Sequence, residues 1–147
     1  MSAAGRALIQ KVRVVACLTP EDVLAAVMDV MSEPWAWGQR DCCAAACEAF
    51  RLLHGIDPMA DLRGVAATRE EADRIVSAYG GMEAMAARKL GEAGLVATDD
   101  PQPGNLGLSP ERPEGRVLCI CVEPGRWAAK TARGFALLGP AERAWRL

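Results

Sequence analysis

The chain is poor in the residue that most often does proton transfer. It has one histidine, one tyrosine and two phenylalanines in 147 residues. Imidazole is the commonest general base, so His54 alone has to serve any reaction that needs one. No apolar run reaches the roughly 20 residues of a membrane-crossing helix, which excludes such a span. The N-terminus does not read as a secretory leader either. Arg6, Lys11 and Arg13 interrupt the N-terminal stretch, although Val14 to Leu18 is apolar. Synthesis in the cytoplasm without export by the standard route is the expectation. Neither charge sign dominates: 17 Lys and Arg against 19 Asp and Glu give a net charge of -2. That balance excludes an electrostatic nucleic-acid binder. The locally basic stretches Arg126 to Arg133 (with Lys130) and Arg143/Arg146 read as solvated faces.

What is present is a hydrophobic content of 51% and six cysteines, at 17, 42, 43, 47, 119 and 121. Their spacing is not that of a secreted disulfide scaffold, so free thiols are expected. Adjacent Cys42 and Cys43 do not pair easily with each other. The length suits one domain with one core. Residues 1–18 read as a lead segment, with Arg13 to Leu18 suited to an edge strand. Residues 19–147 read as a single domain.

Thr19-Pro20-Glu21-Asp22 is a helix start, with a threonine cap, proline at the first helical position and an acidic box partner. Val23, Leu24, Val27, Met28 and Met31 mark its buried face, and Pro34 ends the element. A second helix runs from its N-cap Asp41 to Gly55. Cys42, Ala46, Ala49, Phe50 and Leu53 face inward, with Cys43, Cys47 and His54 on the flank. Thr68-Arg-Glu-Glu71 caps a third helix through Tyr79, broken by Gly80-Gly81. A fourth spans Met82 to Leu90. Strands are expected at Leu106–Leu108, Val117–Val122, Trp127–Lys130 and Phe135–Leu138, between Pro and Gly punctuation. Helices first and a small antiparallel sheet afterwards make an α+β domain.

The most informative residues are Trp35-Ala-Trp37-Gly38-Gln-Arg-Asp41-Cys42. An aromatic-glycine loop delivers a cysteine to the first turn of a helix. There the unpaired N–H groups and the positive dipole end favour thiolate, the nucleophilic form. Cys42 is therefore mounted as a nucleophile, with Trp35, Trp37 and Asp41 beside it. The bland reading is a small buried residue, because free cysteine is among the most buried types. A base is lacking nearby: His54 lies about 18 Å along the same helix at 1.5 Å per residue. A protonated histidine at that helix end would suit the dipole. Cys43 and Cys47, four apart on a helix, could meet Cys119 and Cys121 on a strand face as metal ligands. The C-x-C spacing argues against it.

In order of parts the chain resembles the small papain-like cell-wall cysteine peptidases of the NlpC type. Trp37-Gly38 and Asp41-Cys42 match the family's first motif. Pro103-Gly104-Asn105-Leu106 matches its Pro-Gly-Asp-Leu turn, with Asn for Asp. The catalytic histidine should open the strand near Arg116-Val-Leu-Cys-Ile-Cys121, and Arg116 stands near its place. A closer resemblance, over roughly residues 34–147, is to an uncharacterised family encoded in phage and prophage tail gene clusters. The Trp-Gly-x-x-Asp-Cys loop carries it, with Gly55-Ile-Asp57-Pro58-x-Ala60-Asp61-Leu-Arg63-Gly64 and Gly80-Gly81. So do Trp127-Ala-Ala-Lys130-Thr-x-x-Gly134 and the ending Ala144-Trp145-Arg146. Members of that family often lack the histidine of the core strand.

The resemblance implies a papain-like domain with an incomplete hydrolytic centre, no cofactor, and a cleft lined by Trp35, Trp37, Asp41 and Arg116. It implies a structural part of a tail tip or baseplate, located in the virion. Its partners would be other tail proteins and, at the cleft, peptidoglycan. Two alternatives stay open: an active cell-wall peptidase or amidase using Cys42, and a cysteine-ligated metal or iron–sulfur protein.

Overall fold

The computed structural model describes residues 18–147. The lead segment and Cys17 therefore lie outside the described residues, as does the expected edge strand except Leu18, which is in no strand. Among the described residues four helices precede the strands: α1 (Pro20–Met31), α2 (Cys42–His54), α3 (Arg69–Tyr79) and α4 (Met82–Glu92). Six strands follow: β1 (Val96–Ala97), β2 (Leu106–Leu108), β3 (Leu118–Glu123), β4 (Arg126–Lys130), β5 (Phe135–Leu138) and β6 (Arg143–Arg146). They form one sheet in the order β1-β6-β2-β3-β4-β5, with every pairing antiparallel.

The helix starts follow their local chemistry. Thr19 Oγ1 accepts from Asp22 N at 3.2 Å, and Asp22 Oδ2 accepts from Thr19 N at 2.9 Å. This closes the expected capping box. Thr68 caps α3 in the same manner, accepting from Glu71 N at 3.2 Å. α2 ends at Gly55, whose φ of 80° is left-handed backbone that favours glycine. α4 runs past Leu90 and through Gly91 to Glu92. The buried face of α1 also differs from the periodic reading. Val23, Ala26, Val27 and Met31 are buried, while Met28 is 59% exposed. Ala26 takes the place in the core expected of Met28, which lies on the solvent edge of the stripe.

Alternation along β3 sorts two clusters. Leu118, Ile120 and Val122 join α1 and α2 residues such as Val27, Ala46 and Phe50 in the main core. Cys119 and Cys121 point to the opposite face, with Trp127, Ala129 and Ala144. α2 packs against β3, β4 and β2, the central position its apolar face predicts.

The sheet is wider than the four expected strands. β1 and β6 were not foreseen. Val96–Ala97 is too short to show alternation, and Arg143–Arg146 carries no clear period of its own. Pairing of Leu106 with Trp145 and of Val96 with Arg146 makes them strands. The basic stretches are not uniformly solvated either. Lys130 is 3% exposed, and its Nζ donates to the carbonyls of Thr131 and Gly134 at 2.7 and 3.1 Å. Arg143 lies 4.8 Å over the Trp145 ring and donates to Glu83. No described helix is long and apolar enough to cross a membrane.

Candidate functional site

The loop before α2 is built to hold its first turn. Trp35 N donates to Ala132 O at 2.9 Å, tying the loop to the β4–β5 turn. Trp35 and Trp37 meet edge to face at 5.1 Å. Asp41 is the N-cap and does two jobs. Its Oδ1 accepts from Ala44 N at 2.9 Å, and its Oδ2 accepts from Gly38 N at 2.7 Å. One carboxylate thus fastens the helix start to the loop. Asp41→Ala is expected to cost about 0.5–2 kcal/mol, the range for a lost N-cap. Asp41→Asn should recover part of that, because an amide oxygen still accepts. Urea unfolding midpoints of the variants test this.

Cys42 and Cys43 follow in the first turn, both half-buried, with their sulfurs 3.9 Å apart. The hydrogen bond from Cys43 pulls the Cys42 thiol below its usual range. The Leu118 backbone helps, while burial and Asp41 oppose. Cys43 is driven the other way, first by that same shared hydrogen bond and then by burial. The two thiols titrate as a coupled pair, the shared contact favouring the thiolate at Cys42 and disfavouring it at Cys43.

Both cysteines line a cavity of about 470 Å³. The loop side of its wall is Trp35, Trp37, Gly38 and Asp41. Met59, Leu62 and Arg63 come from the segment after α2, and Ile75, Val76, Met82 and Met85 from α3 and α4. Arg116 and Val117 close it from the approach to β3. The structure therefore brings Cys42, Trp35, Trp37, Asp41 and Arg116 to one cleft. Arg63 sets one wall: its Nε donates to Asp57 Oδ2 at 3.0 Å and both terminal nitrogens reach Ala44 O at 3.2 Å. The methionines and Arg63 were not singled out from the sequence as site residues. Only Arg63's place in the Gly55–Gly64 stretch and Met82's place after Gly80-Gly81 hinted at them.

What faces the Cys42 thiol is not an imidazole. Backbone of Leu118 meets it, and the Leu118 side chain is in the main core. Arg116 turns to carboxylates, donating to Glu83 at 2.9 Å and to Glu142. His54 sits at the far end of α2. Its ring packs 4.2 Å from Phe50 and its Nε2 is 3.1 Å from Gly104 O. Burial holds it below its usual pKa, partly offset by the Gly104 carbonyl, which disfavours the dipole-facing cation the sequence suggested. Asp73 and Glu114 also line the cavity, but Asp73 pairs with Arg69 and Glu114 with Arg112. Two wall groups are buried donors without a partner among the described residues, Trp35 Nε1 and Arg116 Nε.

The four-cysteine ligand set does not assemble. Cys119 and Cys121 lie on the sheet face away from the main core, which holds Cys47 and borders Cys43. Burial raises the Cys47 and Cys119 thiols far above the usual range and pushes Cys121 up to about 12. These are structural thiols. Among the described residues no three His, Cys, Asp or Glu side chains gather as a metal site.

Fold and site together define an α+β domain with a cysteine-headed helix facing a walled cavity. The chain belongs to the family described as Domain of unknown function (DUF6950), whose model matches residues 19–147. No curated protein matches it.

Proposed function

We propose that this protein is a structural component of a phage or prophage tail tip or baseplate, built on an NlpC-like papain fold whose hydrolytic centre is incomplete. One observation carries the incomplete centre: a helix-mounted Cys42 with no imidazole facing it. The sole histidine is bonded to Gly104 O at the other end of α2, and Arg116 is held by Glu83 and Glu142. A nucleophilic cysteine without a positioned base forgoes roughly 10²–10⁴-fold of rate from acid–base catalysis alone. The tail setting rests on the resemblance through the Trp-Gly-x-x-Asp-Cys loop, the Gly55–Gly64 stretch and the ending Ala144-Trp145-Arg146. The cleft supports binding without turnover. Its wall of Trp35, Trp37, Met59, Met82 and Met85 beside Arg63 and Arg116 suits a partly apolar peptide.

The purified protein is expected not to cleave stem peptides above the level of Cys42→Ala, measured by separation of the products. Cleavage abolished by Cys42→Ala would establish the active-peptidase reading, which the lowered Cys42 pKa favours. Mass spectrometry of purified tailed particles, from cells carrying the gene, is expected to find the chain in the virion. Its absence from particles would overturn the tail assignment.

A further inference from the structure

The cavity wall holds an all-sulfur cluster that the proposed function does not use. Cys42 Sγ and Cys43 Sγ are 3.9 Å apart, and Cys43 Sγ is 3.9 Å from Met82 Sδ. The three residues come from two elements, the first turn of α2 and the first residue of α4. All three line the same cavity, which gives an entry path. Three sulfurs at ~2.3 Å from one metal ion, in trigonal geometry, stand about 4.0 Å from each other. Two of the three edges, Cys42 to Cys43 and Cys43 to Met82, already stand at that separation.

We propose that Cys42, Cys43 and Met82 form a binding site for a soft monovalent metal ion of the copper(I) class. The donor set selects the ion. Two thiols and a thioether suit soft, low-coordinate metals, whereas imidazole and carboxylate suit zinc or harder ions. The nearest carboxylate is spent elsewhere: both Asp41 oxygens are taken by Ala44 N and Gly38 N. Zinc would need further donors to complete a tetrahedron, and no such His, Cys, Asp or Glu gathers among the described residues. Copper(I) is satisfied by two or three sulfurs. On binding, both thiols release their protons to solvent and the sulfur lone pairs form the bonds, with no change of oxidation state. The resulting site carries one net negative charge, which the N-terminal end of α2 stabilises. Met59 and Met85 line the rest of the cavity and keep the surroundings soft and weakly hydrated.

The site is independent of the tail assignment and of hydrolysis. The test is titration of the reduced, full-length protein with copper(I) in competition with a chromogenic copper(I) chelator, under nitrogen. One copper(I) per chain is expected, with three sulfur neighbours by X-ray absorption. Cys42→Ser and Cys43→Ser should each abolish competitive binding. Met82→Leu should keep the fold, weaken binding at least about tenfold, and reduce the sulfur neighbours to two; loss of an outer-shell partner alone costs that much at metal sites. Thermal unfolding of each apo variant separates ligand loss from misfolding. Any of three results would overturn the proposal. One is competitive binding that survives in folded Cys42→Ser and Cys43→Ser, which would place the ion on another thiol. Another is unchanged affinity and sulfur count in Met82→Leu, and the third is no competition by the parent protein.

Discussion

Gly38→Ala is expected to lower the melting temperature by roughly 6–12 °C, from a loss of about 3 kcal/mol. Gly38 has a φ of 78°, in the left-handed region. A side chain there costs about 1–2 kcal/mol by itself. A Cβ at this position would also stand 2.0 Å from the carbonyl oxygen of Ala66, a backbone atom that cannot swing aside. The clash falls where the loop before α2 meets the segment after it, fastened by Gly64 N donating to Gly38 O at 2.8 Å. Displacement of either strand of chain moves Trp37, Asp41 and Arg63 together. The cavity should therefore open as stability falls, and Cys42 and Cys43 should react faster with a bulky thiol reagent in the variant. An unchanged melting temperature and unchanged thiol reactivity would show that the contact is not needed.

Trp127→Ala is expected to cost about 3–5 kcal/mol, the range for truncating a buried aromatic. The side chain is 1% exposed and forms the centre of the cluster on the sheet face away from the main core. Its ring lies flat over Gly107 of the next-but-one strand. A Cβ on Gly107 would come within 2.5 Å of the ring. Glycine in a strand is otherwise a liability, so here the missing side chain and the large one are a matched pair. Gly107→Ala alone should destabilise by displacing the ring. In the Trp127→Ala background it should be nearly neutral or stabilising, because the space is then free and alanine suits a strand better. A double-mutant cycle by urea unfolding reads that coupling. Additive effects would mean that ring and glycine do not depend on each other.

Much of this molecule is legible in local sequence. The Thr19 and Thr68 caps, the Asp41 cap and the glycine stop at Gly55 are short-range hydrogen-bond and dihedral chemistry, and each stands where its residues put it. The segregation of helices from antiparallel strands follows from periodicity, as does the alternation that sends Leu118 and Ile120 to one side and Cys119 to the other. Mounting of Cys42 on a helix start beside two tryptophans was also readable, because it spans eight consecutive residues. What local pattern does not contain is which distant segments meet. β1 and β6 are strands only because each finds a partner, Val96 with Arg146 and Leu106 with Trp145. A two-residue strand has no period to read. The orientation of Met28 is likewise set by how α1 seats on the core. The site shows the same division. That Cys42 is a helix-start thiol belongs to the sequence. That Met82, 39 residues away from Cys43 in the chain, brings its sulfur to within 3.9 Å belongs to the tertiary structure. So does the turning of Arg116 toward Glu83 and Glu142. Proximity between remote residues is the sum of every packing contact between them, and no local rule carries that sum.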